Sequence, residues 1–248
     1  MVTRAGAGDE PLTRKLAALG AEVIPIPALV FEPPADAAPL ERALSDWDAY
    51  DWVVFTSPRG VVAVAEAITA RGGDPGILQP RRLAVVGSST SAAAREVGWT
   101  PDLVPERFDA DGLLEEMDRR DIRLSGARVL VPVAAEAREV LGRGLRQRGA
   151  KVDQVVAYRS AAPPDFDAGR AAELLAADRP LLITFTSPSS ARHLVERVGA
   201  RALDLPAAAI GPVTAAAAGA LGFRVVTTPA EHTLDGLTEA VVAWWTTR

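Results

Sequence analysis

The chain has 248 residues, 48% of them hydrophobic and 24% charged, with a formal net charge of −5, a composition that suits a soluble globular protein rather than a disordered chain. No apolar run reaches the ~18 residues of a membrane span, and no concentrated basic face of the kind that grips phosphate backbones is present, so neither membrane nor nucleic acid is expected as a partner. With no cysteine and two histidines, disulfides and thiolate ligands are excluded and no metal is implied. No charged-then-apolar leader is visible at the start, so a cytoplasmic location is expected.

Val2-Thr3-Arg4 reads as the end of a strand. Pro11 to Leu19 is an amphipathic helix closed by Gly20, followed by a strand from Glu22 to Pro27 and an extended segment from Ala28 to Pro34. Leu40 to Leu44 opens a helix, and Trp52 to Phe55 has the length and β-branched content of a buried strand. Thr56-Ser57-Pro58 turns directly into a helix over Gly60 to Ala70, because Ser57 supplies an N-cap hydroxyl and Pro58 a φ already set for the first helical turn. The strand Leu83 to Val86, the turn Gly87-Ser88-Ser89-Thr90 and the helix Ser91 to Val97 come next. A short strand ends at Val104-Pro105, and Asp109 or Asp111 caps a helix from Asp111 to Arg119.

The second half repeats this order. Arg128 to Pro132 is a strand, Ala135 to Arg148 a helix closed by Gly149, Lys151 to Tyr158 a strand, and Arg159 to Pro164 an extended stretch. Leu181 to Phe185 with Thr186-Ser187-Pro188 reproduces the buried strand feeding a capped helix, and the strand Ala207 to Ile210, the turn Gly211-Pro212-Val213-Thr214 and the helix Ala215 to Ala220 follow. Thr233 caps a final helix from Leu234 to Trp245. Gly87, Thr90, Gly98, Pro105 and Gly112 match Gly211, Thr214, Gly222, Pro229 and Gly236 at a constant offset of 124, while Phe55/Phe185 differ by 130 and Gly20/Gly149 by 129. The chain is a doubled unit. Strand–helix alternation at this spacing implies an α/β fold with parallel sheets covered by helices on both faces. Two extended proline-bearing segments imply two connections between lobes. Residues 1–30 are therefore expected to join 165–248 as one discontinuous lobe, with 35–158 as the other and 28–34 and 159–164 as linkers.

Strand C-termini are where open α/β sheets bind ligands, and a helix start directs unpaired N–H groups and a positive dipole end at an anion. One Ser-Pro turn is more often only a helix cap; its recurrence shifts the balance towards ligand binding at Thr56, Ser57 and Ser187. The turns at Gly87 and Gly211 let a backbone approach closely and carry the hydroxyls of Thr90 and Thr214. Neither matches a Walker or GxGxxG pattern, so a nucleotide cofactor is poorly supported. His193 and His232 read as surface or satisfied histidines, and Asp109, Asp111, Glu115 and Glu116 as solvated carboxylates. Tyr158, one of two tyrosines, closes a strand beside a linker and reads equally as an amphipathic strand end or a functional phenol. Arg4 and Arg138 begin equivalent helical units, and arginine suits carboxylates through its planar fork.

The ordered set Val2-Thr3-Arg4, Phe55-Thr56-Ser57-Pro58, Val86 to Thr90, Val129 to Pro132, Val155 to Tyr158, Phe185 to Pro188, Ile210 to Thr214 and Thr233 to Leu237 resembles the uroporphyrinogen-III synthase family across nearly the whole chain. Residues Arg4 to Gly8 depart from it, since the family more often has a proline after the arginine. The resemblance implies two flavodoxin-like lobes with parallel sheets joined by a two-stranded linker. It also implies a reaction of tetrapyrrole and haem biosynthesis: hydroxymethylbilane loses its hydroxyl, the last pyrrole ring is inverted through a spiro intermediate, and the macrocycle closes without a cofactor. Carried over position by position, it implies substrate contacts at Thr56, Ser57, Arg59, Thr90, Ser187 and Thr214, and names Tyr158 as the catalytic group; Gly87 and Gly211 join the substrate-binding set through the close backbone approach their turns allow. The partner expected is this small molecule alone, with the protein a monomer. A competing class is a non-catalytic bilobal binding protein for an anionic metabolite.

Overall fold

A computed structural model describes residues 1–3, 11–137, 139–164, 166–167, 169, 171, 173–174 and 181–247; Arg4 and Arg138 lie outside them. In chain order the elements are α1 (Pro11–Ala18), β1 (Val30–Glu32), α2 (Ala38–Ser45), β2 (Trp52–Phe55), α3 (Pro58–Ala70), β3 (Leu83–Val85), α4 (Ser88–Glu96) and α5 (Ala110–Arg119). They continue with β4 (Arg128–Ala134), α6 (Val140–Gln147), β5 (Lys151–Ala161), β6 (Ile183–Phe185), α7 (Pro188–Val198), β7 (Pro206–Ala209), α8 (Pro212–Ala220), β8 (Arg224–Thr227) and α9 (Leu234–Thr246). The chain divides into two compact units, Met1–Phe31 with Ser160–Arg248, and Glu32–Arg159.

In the continuous unit the sheet runs β5-β4-β2-β3, and β5/β4, β4/β2 and β2/β3 pair in parallel. Strand side chains alternate between faces, and both faces are buried. Val53, Phe55, Leu83, Val85 and Leu130 join Val61, Val64, Ile68 and Trp99 beneath α3 and α4. Trp52, Val54, Ala84, Val129 and Val131 join Leu113, Met117, Leu141 and Leu145 beneath α5 and α6. This two-sided burial explains why β2 reads as an unbroken apolar run.

The discontinuous unit repeats the plan. Val2 bridges Pro25 on one side and Thr184 on the other, and the sheet continues β6-β7-β8, all parallel. Ile183, Phe185 and Ala207 face Leu194 and Ala218 of α7 and α8, while Leu182 and Ala208 face Leu12, Leu16 and Leu237 of α1 and α9. The repeat reaches the core aromatics: Phe55 stacks on Trp99 at 5.7 Å, and Phe185 meets Phe223 edge-on at 4.7 Å.

Several boundaries differ from the sequence expectation. Ala135 to Ala137 are not helical, because the Ala135 N–H is taken by the Tyr158 carbonyl at 2.9 Å and α6 begins only at Val140. Strand β5 continues past Tyr158 to Ala161, through what reads as an extended linker. The segment from Glu22 to Pro27 forms an isolated bridge at Pro25 rather than a full strand, and the short strand before Pro105 reduces to a bridge at Leu103. Strand β8 is invisible as a pattern because Arg224 to Thr227 is only partly buried. Helices α4 and α8 start at the residue after their glycines, three residues before the expected starts. Asp109, not Asp111, caps α5, accepting from the Gly112 N–H at 2.6 Å. Among the described residues no helix is long and apolar enough to cross a membrane.

Candidate functional site

In each unit the strand order reverses at one point. From β2 the chain steps outward to β3 and returns to β4 on the other side of β2; from β6 it steps to β7, while Val2 lies on the opposite flank of β6. Beyond the strand C-termini at such a reversal the two crossovers leave in opposite directions and open a crevice. The turns at Ser57 and Ser187 stand there.

Ser57 has extended backbone (φ −152, ψ 150) and caps α3, its Oγ accepting from the Gly60 N–H at 3.1 Å. Ser187 does the same for α7, accepting from Ser190 N–H at 3.2 Å, with the Ser189 hydroxyl 3.1 Å away. Both hydroxyls are half-buried, and Thr56 is exposed. Gly60 is buried because α3 starts against β4: a Cβ there would stand 3.6 Å from the Pro132 carbonyl oxygen. Arg59 forms a two-point ion pair with Glu66, at 3.2 and 2.6 Å.

Tyr158 is brought to the same place. Its phenolic oxygen lies 3.1 Å from Ser57 Oγ, with only 8% of the residue exposed. The register explains how. Val133 pairs with Val156 but Ala134 pairs with Tyr158, so β5 holds an extra residue at Ala157. Strict alternation would put Tyr158 on the face opposite Ala157. The bulge returns it to the α3 side, where Val155, Ala157 and Tyr158 share one core.

Gly87 and Gly211 cap α4 and α8 with extended backbone at φ −155 and −173. Thr90 and Thr214 are 2% and 4% exposed, set into the first helical turns, and what those turns present to solvent is Ser88 and Ser89 in one and Pro212 and Val213 in the other. Phe108 escaped the sequence reading, and so did the place of His232, an exposed ring as expected there. The exposed Phe108 ring covers Gly87, and His232 covers Gly211, the two separated by the repeat offset of 124 (232−108). Aligning the copies beyond the glycines would have found them.

The remaining candidates resolve into structural roles. His193 is buried, its Nδ1 3.0 Å from Glu196 Oε2 and its Nε2 without a hydrogen-bond partner among the described residues, which corrects the expectation of a surface or satisfied ring. Glu116 is 7% exposed and is held by Arg119 and Arg120, each at 2.6 Å. Hydrogen bonds from those guanidinium groups keep its carboxyl below the usual range. The Asp109 carboxyl is lowered chiefly by the Gly112 N–H it accepts.

The fold and its turns define a duplicated, doubly wound α/β protein with ligand-type turns at both strand-order reversals. The model of the family described as HEM4, uroporphyrinogen-III synthase HemD, matches residues 10–239. Uroporphyrinogen-III synthase of Synechococcus elongatus is 31% identical over 98% of this chain and 94% of its own length. A crystal structure of a mutant uroporphyrinogen III synthase from Thermus thermophilus superposes with a TM-score of 0.62 at 20% identity, covering 96% of this chain and 95% of that one. The Helicobacter pylori enzyme gives 0.63 at 16%, covering 90% and 94%. The chain belongs to the uroporphyrinogen-III synthase family, cyclising lyases of tetrapyrrole biosynthesis.

Proposed function

We propose that this chain converts hydroxymethylbilane to uroporphyrinogen III, inverting ring D through a spiro intermediate with loss of water, as a cofactor-free cytoplasmic monomer without nucleic-acid partners. The observation that carries the reading is the pairing of Ser57 and Tyr158 at a strand-order reversal, within a chain whose family membership spans residues 10–239. The linear substrate can close without help to the symmetrical isomer, so the protein's work is to hold one conformation while water departs.

In this reading the substrate's acetate and propionate groups take the helix starts beside Thr56, Ser57, Gly87, Thr90, Ser187, Gly211 and Thr214, with Arg59 adding positive charge. Tyr158 is the proton donor. Its phenolic proton passes to the departing hydroxyl, which leaves as water, and the proton lost from a pyrrole carbon on ring closure returns to the phenolate. A binding protein for an anionic metabolite is the weaker reading, because the family matched over residues 10–239 is one of cyclising lyases. Incubating the protein with freshly made hydroxymethylbilane, oxidising and separating the isomers tests the proposal: isomer III supports it, and isomer I alone refutes it.

A further inference from the structure

We propose that Ser57 is a positioning residue that acts through Tyr158, and that the counterpart turn at Ser187 takes no part in proton transfer. This rests on the reading of Tyr158 as proton donor.

The two Ser-Pro turns are equivalent in the repeat, yet their surroundings differ. Val131 pairs with Gln154 and Val2 with Pro25, so this part of the repeat runs at an offset of 129 (131−2 and 154−25). The positions that can correspond to Tyr158, with and without the extra residue of β5, are Leu29 and Ala28, both buried and without a polar side chain. Around Ser187 the hydroxyl's neighbours are Ser189 and Ser190 of its own turn. Around Ser57 the neighbour is a phenol more than a hundred residues away in sequence. A cap needs only the first arrangement.

The geometry gives Ser57 a direction. One lone pair of Oγ is committed to the Gly60 N–H, which fixes the side-chain rotamer and leaves the hydroxyl proton to swing towards Tyr158. As Tyr158 gives up its proton, Ser57 donates to the phenolate oxygen, and the first turn of α3 stabilises the charge through the same hydroxyl. The stabilisation exists only once charge develops on the phenol, so its loss lowers kcat and leaves KM nearly unchanged.

The experiment is steady-state kinetics on the full chain with Ser57→Ala, Ser57→Thr, Tyr158→Phe and the Ser57→Ala/Tyr158→Phe double variant. Ser57→Ala is expected to lower kcat ~10-fold with KM within about twofold, Ser57→Thr to restore it, and the double variant to fall no further than Tyr158→Phe alone. Should Ser57→Ala unfold, Ser57→Gly replaces it, because glycine caps a helix nearly as well as serine. A rise in KM at constant kcat, or independent losses that multiply in the double variant, overturns the inference while the Tyr158 reading stands. If Tyr158→Phe keeps full turnover, the Tyr158 reading itself fails and the inference goes with it.

Discussion

His232 lies so close against Gly211 that a Cβ on that glycine would come within 3.1 Å of the ring, whereas Phe108 leaves 3.5 Å over the equivalent Gly87. Both glycines have extended backbone, so alanine meets no torsional penalty at either, and space alone separates the two sites. Gly211→Ala is expected to push the exposed imidazole aside with a stability change below ~0.5 kcal/mol. Gly87→Ala should leave the Phe108 ring where it is. Ring proton resonances of His232 and Phe108, compared between each variant and the parent, check both statements.

Phe108 is 59% exposed, and an exposed ring over a helix start offers a flat apolar wall to a pyrrole. Phe108→Ala is expected to raise KM for hydroxymethylbilane ~10-fold with an unchanged melting temperature. An unaltered KM would mean that the ring packs on Gly87 and touches no substrate.

Gly112 and Gly236 make a harder demand. A Cβ on either would lie well under 3.0 Å from a backbone carbonyl oxygen, of Arg107 in one copy and Glu231 in the other. Backbone cannot swing away as a side chain can, so Gly112→Ala and Gly236→Ala are each expected to destabilise by about 2–3 kcal/mol or more. Urea midpoints measure it. Alanine has the better helix propensity, so a gain in stability at either site would contradict the clash.

Tyr50 predicts behaviour at high pH. Burial first, and then the hydrogen bond from its phenol to Asp153 Oδ2 at 2.8 Å, hold its pKa well above the ordinary tyrosine value. A raised folded pKa contributes stability that is fully present below the unfolded value of about 10 and is lost as pH climbs towards the folded one. The parent should therefore lose stability above about pH 10 more steeply than Tyr50→Phe, which should itself be weaker at neutral pH by about 1 kcal/mol. Denaturation curves at several alkaline pH values decide it; parallel curves would remove Tyr50 as the cause.

The unit Glu32–Arg159 is continuous in sequence and has buried clusters on both faces of its sheet. Expressed alone, residues 32–159 are expected to unfold in one cooperative transition, followed by circular dichroism; a non-cooperative melt would show that the unit depends on the rest of the chain.

Much of this was legible in the sequence, for local reasons. Ser57, Ser187, Thr233 and Asp109 are helix caps because a short side chain can satisfy an N–H three residues ahead. Trp52 to Phe55 reads as a strand buried on both faces because every residue in it is apolar. The doubling is plain because glycines and prolines hold fixed places in each copy. Chain order alone could not assign Thr90 and Thr214 to the buried side of their turns, since a residue three positions after a cap faces outward or inward according to what packs beneath it.

The sequence by itself determined the two-fold repeat, the α/β alternation and the family, because each rests on patterns within a few residues or on offsets between copies. Only the tertiary structure decided that Tyr158 meets Ser57. Regular alternation along β5 points the phenol away from α3. A single bulge at Ala157 reverses it, and a bulge arises from how two strands fit side by side, which neither strand's own residues record.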